Sequence, residues 1–196
     1  MTLPRVGVII ASTRPERAGA SISAWVVDEL DTRTDLNIQV IDLRDVALPL
    51  LDEPHHPSEQ KYLHSHTRAW SATIDALDAF IVVTPEYNRG MPASLKNAFD
   101  YLLAEWEDKP IGFVSYSGGV SGGTRAVEMA RSVAGALAML AIPASVNIAR
   151  ISSHMSGGVF TPPDHATGSV HELADTLVRY ARASTTLRRL TNVGAS

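Results

Sequence analysis

Val6-Gly7-Val8-Ile9-Ile10-Ala11 is an apolar run without polar alternation. It leads directly into Ser12-Thr13-Arg14-Pro15-Glu16-Arg17 and then into a small-residue stretch, Ala18-Gly19-Ala20-Ser21, that opens a helical pattern. A strand apolar on both faces needs cover on both faces, which points to a parallel sheet between two helix layers. The carboxyl ends of such strands are where open α/β sheets take their ligands. Here that end carries two hydroxyls, two guanidiniums and the unpaired N–H groups of a helix start, all of which favour a phosphate. Neither Gly-x-x-x-x-Gly-Lys-Ser/Thr nor Gly-x-Gly-x-x-Gly stands in this loop, so a terminal monophosphate fits better than a triphosphate or a dinucleotide.

The same alternation recurs along the chain. Ile22, Trp25, Val26 and Leu30 have helical spacing, and Asn37 to Leu43 alternates as an edge strand does. Pro49, Pro54 and Pro57 mark a long loop. Residues 65–77 read as a helix through Ala69, Trp70, Thr73 and Leu77, and Ala79 to Thr84 reads as a central strand. A proline-stiffened loop, Pro85 to Pro92, precedes a helix carrying Leu95, Phe99 and Leu102. Pro110 to Tyr116 is the next strand, Ser117 to Gly123 a glycine loop, and Val127, Ala130, Ala134 and Leu137 lie on the following helix. Ala144 to Ile148 reads as a short fifth strand, 152–168 as a loop, and Leu173, Leu177 and Tyr180 as part of a closing helix. No repeat or linker divides these elements, so the expectation is one domain over residues 1–196. Its class is α/β, a doubly wound five-stranded parallel sheet in the flavodoxin-like order 2-1-3-4-5.

A formal net charge of −4 gives no general attraction to nucleic acid or to anionic lipid, so any anion must be held by a local cluster such as Arg14 with Arg17. With no cysteine, disulfides, thiolate metal sites and thiol catalysis are excluded. Neither a signal-peptide core nor a bilayer-length apolar run is evident, and the expected location is the cytoplasm, with no membrane partner.

In the order 2-1-3-4-5, the loops after the first, third and fourth strands open at one edge, beside the switch point. The first suits a phosphate. The second offers the flat ring of Tyr87 and the amide of Asn88, and the third offers glycines whose N–H groups can approach a ligand closely. A polar-edged heterocycle on a phosphorylated tail matches this inventory, and flavin mononucleotide (FMN) belongs to that class. On Ser12-Thr13-Arg14-Pro15-Glu16-Arg17, Pro85-Glu86-Tyr87-Asn88, Leu95-Lys96-Asn97-Ala98-Phe99-Asp100 and Ser115-Tyr116-Ser117-Gly118-Gly119, the chain resembles the NADPH-dependent FMN reductase family. That family lies within the flavodoxin-like flavoproteins that include quinone, azo-dye and chromate reductases.

The resemblance implies non-covalent FMN and NAD(P)H as co-substrate. It assigns the phosphate to Ser12, Arg14, Arg17 and the backbone of Gly19, Ala20, Ser21 and Ile22, beside the Thr13 hydroxyl. Pro85, Glu86, Tyr87 and Asn88 then line the ring and ribityl chain, and Ser115, Tyr116, Ser117, Gly118 and Gly119 meet the other side of the ring. Hydride passes from the nicotinamide to the flavin and on to a small acceptor: a quinone, a flavin, an azo compound or similar. No catalytic side chain is implied, because the cofactor carries the redox chemistry. Two positions depart from the family pattern: Ala11 stands where glycine is frequent, and Arg89 follows the asparagine where a small residue is frequent. Arg89 is then either a contact for the 2′-phosphate of NADPH or a solvated surface charge.

Two other readings compete. A flavodoxin-type electron carrier shares the same cofactor site. A serine hydrolase is suggested by Gly119-Val120-Ser121-Gly122-Gly123, with Asp164 and His171 in permissible order as partners, although a glycine loop with Ser121 capping the next helix is the simpler explanation. Glu86 reads more readily as a brace for its loop than as an acid. The histidines at 55, 56, 64, 66, 154, 165 and 171 read as solvated rather than metal-binding. Leu102, Leu103 and Trp106 suggest an apolar patch, which with the resemblance leads to an expected homodimer or a tetramer built from two.

Overall fold

Strands with no polar face belong in the middle of a sheet. Every residue of β3 (Ala79–Pro85) and β4 (Pro110–Tyr116) is buried, as is β1 (Arg5–Ile10) from Val6 onward. The partly exposed β2 (Asn37–Asp42) and β5 (Leu140–Ile148) form the edges. All neighbours pair in parallel in the order β2-β1-β3-β4-β5, the expected topology. The computed structural model describes residues 2–193, with side chains through residue 188.

Helices cover both faces. α1 (Ala18–Leu30) and α6 (Asp164–Val193) bury Ile22, Val26, Leu173 and Leu177 against one side. The short α2 (Leu43–Val46), α3 (Ser65–Asp75), α4 (Ala93–Asp100) and α5 (Thr124–Ala136) cover the other, with Leu43, Trp70, Phe99 and Val127 buried there. Asn97 on α4 pins the proline loop, accepting from Leu51 N at 3.0 Å and donating to the Pro49 carbonyl at 2.6 Å.

Three expectations are corrected. Trp106 is fully buried and meets Trp70, Phe80 and Phe99 edge-on, with ring centroids 4.9–6.0 Å apart; Leu102 is buried beside it, so these side chains fill the core instead of forming a surface patch. The buried face of α3 is Thr67, Trp70 and Ile74, while Ala69 faces solvent. The chain after β4 is also more regular than its composition suggests. β5 starts at Leu140, because Leu140 and Ala141 pair with Pro110 and Ile111 before the register shifts, and Arg131 caps the Ile142 and Pro143 carbonyls within the shift. Within 152–168, β6 (Met155–Ser156) and β7 (Val159–Phe160) form a hairpin across Gly157 and Gly158, both at positive φ, and α6 begins at Asp164.

Candidate functional site

Ala11 N still donates to the Val83 carbonyl, so the chain leaves the sheet at Ser12. Ser12 is fully buried, with Oγ 2.7 Å from the Tyr87 hydroxyl. The Arg14 guanidinium lies 5.7 Å from the Tyr87 ring centroid, a cation–π contact. Glu16, at φ 52°, turns the chain into α1, and Arg17 stands at the N-cap position. The Arg17 side chain is 8% exposed and ion-paired with Asp42 at the end of β2, while its Nε has no partner. α1 has neither a side-chain cap nor an acidic residue in its first turn. The amides of Arg17 to Ala20 are therefore those the helix itself leaves unpaired, two residues earlier than the 19–22 stretch expected.

The second loop is a tight reverse turn. Tyr87 and Gly90 exchange backbone hydrogen bonds of 2.9 and 3.0 Å across Asn88 and Arg89, which sit at φ 50° and 69°. Positive φ at both central positions is the I′-type hairpin arrangement, for which asparagine is suited and arginine is not. Just before it, the Glu86 carboxylate is 8% exposed. It accepts from Ser121 Oγ at 3.2 Å, Arg125 N at 3.1 Å and Arg125 Nη1 at 2.8 Å. Burial raises its pKa, but Arg125 and Ser121 together outweigh burial and hold the carboxyl below its ordinary value. Glu86 thus ties the second loop to the third and to the start of α5.

The third loop leaves β4 at Tyr116. Ser117 N donates to the Ile148 carbonyl and Ile151 N to the Ser117 carbonyl, fixing the loop's near end. The three loops meet around a cleft of about 320 Å³ lined by Arg14 to Ala18, by Pro85, Glu86 and Tyr87, and by Tyr116, Ser117, Gly118 and Ile151. Pro15, Glu16, Ala18 and Ile151 were not singled out from sequence. Ile151 carries no motif, and only the return of the chain after β5 brings it to the cleft.

The other residues singled out from sequence have partners or positions of their own. Ser12 sits behind Tyr87, and Thr13 lines a separate cavity with Ala93 and Asn97. Ser21 Oγ accepts from Phe160 N, and Ile22 is core. Gly19 and Ala20 belong to the first turn of α1, where their amides are among those the helix leaves unpaired at the edge of the residues that line the cleft. Asn88 is an exposed turn residue, the buried Ser115 hydroxyl faces the Gly122 carbonyl and Asn147 Oδ1, and the Gly119 carbonyl accepts from Arg150 N.

No hydrolase triad assembles. Ser121 Oγ meets Glu86 and Ser117, whereas His171 faces Glu29 at 3.6 Å. The cap residue of α5 is Gly123, not Ser121. Among the described residues, no group of three or more His, Asp or Glu side chains converges to hold a metal, and no helix is long and apolar enough to cross a membrane.

A doubly wound 2-1-3-4-5 sheet with three loops around a cleft at its switch point, one of them feeding an uncapped helix, defines a flavodoxin-like nucleotide-site protein. Residues 4–152 match the model of the NADPH-dependent FMN reductase family, and the chain belongs to that family: it is an FMN-dependent oxidoreductase that draws electrons from NAD(P)H. It is similar to an NAD(P)H-dependent FMN reductase of Schizosaccharomyces pombe, 37% identical over 172 residues, 87% of this chain and 85% of that protein. A quinone reductase of Pseudomonas putida is 33% identical over 127 residues, 60% of this chain and 62% of that one. In fold it is similar to the NAD(P)H:acceptor oxidoreductase FerB of Paracoccus denitrificans, with TM-score 0.73 and 19% identity, covering 93% of this chain and 99% of that one.

Proposed function

We propose that the cleft is the FMN site, with the phosphate at the start of α1, and that the chain reduces quinones or similar small acceptors, such as free flavin or azo compounds, at the expense of NAD(P)H. The observation that carries this reading is the unpartnered Nε of the buried Arg17, beside the free amides of an uncapped helix, on the wall of the cleft that Tyr87 and Gly118 also line. An anion there would satisfy donors that the protein leaves unmet. When bound, FMN supplies the redox chemistry, taking hydride from a reduced nicotinamide and passing electrons to the acceptor.

The protein's own work is positioning. The Ser12 hydroxyl and the Arg14 guanidinium hold the Tyr87 ring from two sides, making it a fixed wall. Glu86 keeps the Ser117–Ser121 loop docked on α5, so that wall does not drift. An open mouth suits exchange of one substrate for the other at the same face. Apolar surface on the proline loop, where Leu50 is 82% exposed beside Leu51, supports a homodimer, two of which would make a tetramer; we assign the enzyme to the cytoplasm as one domain.

The test is the spectrum of the purified chain. FMN is expected on heating, and NADPH or NADH added without air bleaches the bound flavin within turnover time, with colour restored by a quinone. A flavin that bleaches only when a separate reductase is supplied would instead indicate an electron carrier.

A further inference from the structure

Tyr116 ends β4, paired with Pro85 on one side and Ile148 on the other, and it is 6% exposed. Its buried hydroxyl has no well-aligned hydrogen-bond partner, the Gly19 N–H and the Ser12 hydroxyl being close enough only to act on it as donors, so its own proton is left without an acceptor. It reaches the first turn of α1 so closely that a Cβ placed on Gly19 would lie 2.7 Å from the phenolic oxygen. Around it stand Ser12, whose hydroxyl is already engaged by Tyr87, together with Tyr87 itself, Arg17 and the Gly19 backbone. Two buried donors without a well-aligned acceptor, this hydroxyl and Arg17 Nε, therefore belong to residues lining the same cleft at the same uncapped helix start.

We infer that the Tyr116 hydroxyl donates a hydrogen bond to the phosphate of the cofactor rather than meeting its ring, and that Gly19 lacks a side chain in order to admit that hydroxyl. The inference rests on the FMN reading above. Burial, with Tyr87 adding to it, pushes the Tyr116 pKa far above the ordinary phenol range, so the group keeps its proton. A neutral donor matters here because Asp42 sits on Arg17 and offsets its charge. The seat then holds its anion with hydrogen bonds from Tyr116, the amides of α1 and Arg17 Nε, and with the remaining cation, Arg14. Selection is for a phosphorylated flavin over the same ring without phosphate.

The test uses the full chain freed of flavin, titrated with FMN and with riboflavin by quenching of flavin fluorescence. Tyr116→Phe keeps the ring and is expected to weaken FMN binding about tenfold, the loss of one hydrogen bond to a charged acceptor, while riboflavin affinity changes by less than about twofold. Gly19→Ala is expected to weaken FMN at least as much, because its methyl group displaces the hydroxyl. The Gly19→Ala/Tyr116→Phe double variant should bind FMN no worse than Tyr116→Phe, since the displaced atom is gone. Equal losses for FMN and riboflavin, no loss at all, or additive losses in the double variant would overturn the inference. A wild-type chain with no preference for FMN over riboflavin would instead strike the FMN reading itself.

Discussion

Glu86→Gln tests the brace that joins the three loops. The carboxylate accepts three hydrogen bonds, two of them from Arg125 and one from Ser121. Glutamine offers a single acceptor oxygen and, in place of the second, an NH2 group turned toward the Arg125 donors, so a polar group on a side chain only 8% exposed is left unmet. Leaving such a buried polar group unsatisfied costs about 1–3 kcal/mol. Because the Arg125 side chain is 51% exposed, the ion pair itself adds less than about 1 kcal/mol. The expected loss is about 2 kcal/mol at pH 7, read by urea unfolding of wild type and variant. The sign of its pH dependence follows from the depressed carboxyl: the contribution is whole above the unfolded value of about 4.3 and fades as pH falls through the lower folded value. The gap between the two proteins should therefore close on acidification below about pH 4. A gap under about 0.5 kcal/mol at pH 7, or one equally wide at pH 3, would refute the brace.

Arg89→Gly relieves a side chain held at φ 69° and should stabilise the fold by about 0.5–1 kcal/mol in the same assay; a loss of stability would mean the arginine makes contacts that outweigh its strain. Trp106→Ala removes the centre of a four-ring cluster and should cost about 3–5 kcal/mol. Trp106→Phe should cost much less, because the indole N–H it deletes has no partner; equal costs would contradict that packing. Burial lowers the Lys109 ammonium to about 8. The unfolded chain therefore binds more protons than the folded one between that value and about 10.4, and wild-type stability should rise with pH across the window relative to Lys109→Met; a difference independent of pH would refute it.

The strand order was legible through the fold class, the simplest order for five strands alternating with helices, while patterning separated middle from edge: β3 and β4 have no polar alternation, whereas Asn37 to Asp42 alternates. The convergence of the three loops followed from that order. What sequence could not give was the direction of individual side chains. Arg14 and Arg17 look equivalent in a loop, yet one covers Tyr87 and the other is drawn into an ion pair by Asp42, 25 residues away. Trp106 reads as part of an apolar patch with Leu102 and Leu103 because three large apolar residues cluster there, and sequence does not show that even the adjacent Glu105 is buried, accepting from Tyr62 and Ser71. Short elements such as the β6–β7 hairpin escaped notice because two-residue strands have no periodicity to read.

The orientation of the cofactor in the cleft is tested most directly by the crystal structure of the chain with FMN bound. The phosphate is expected against the amides of Ala18 to Ala20 and the side chains of Arg17 and Tyr116, with the ring between Tyr87 and the Ser117–Gly118 backbone. A flavin bound the other way round, or seated in the separate cavity lined by Thr13 and Ala93, would contradict the account.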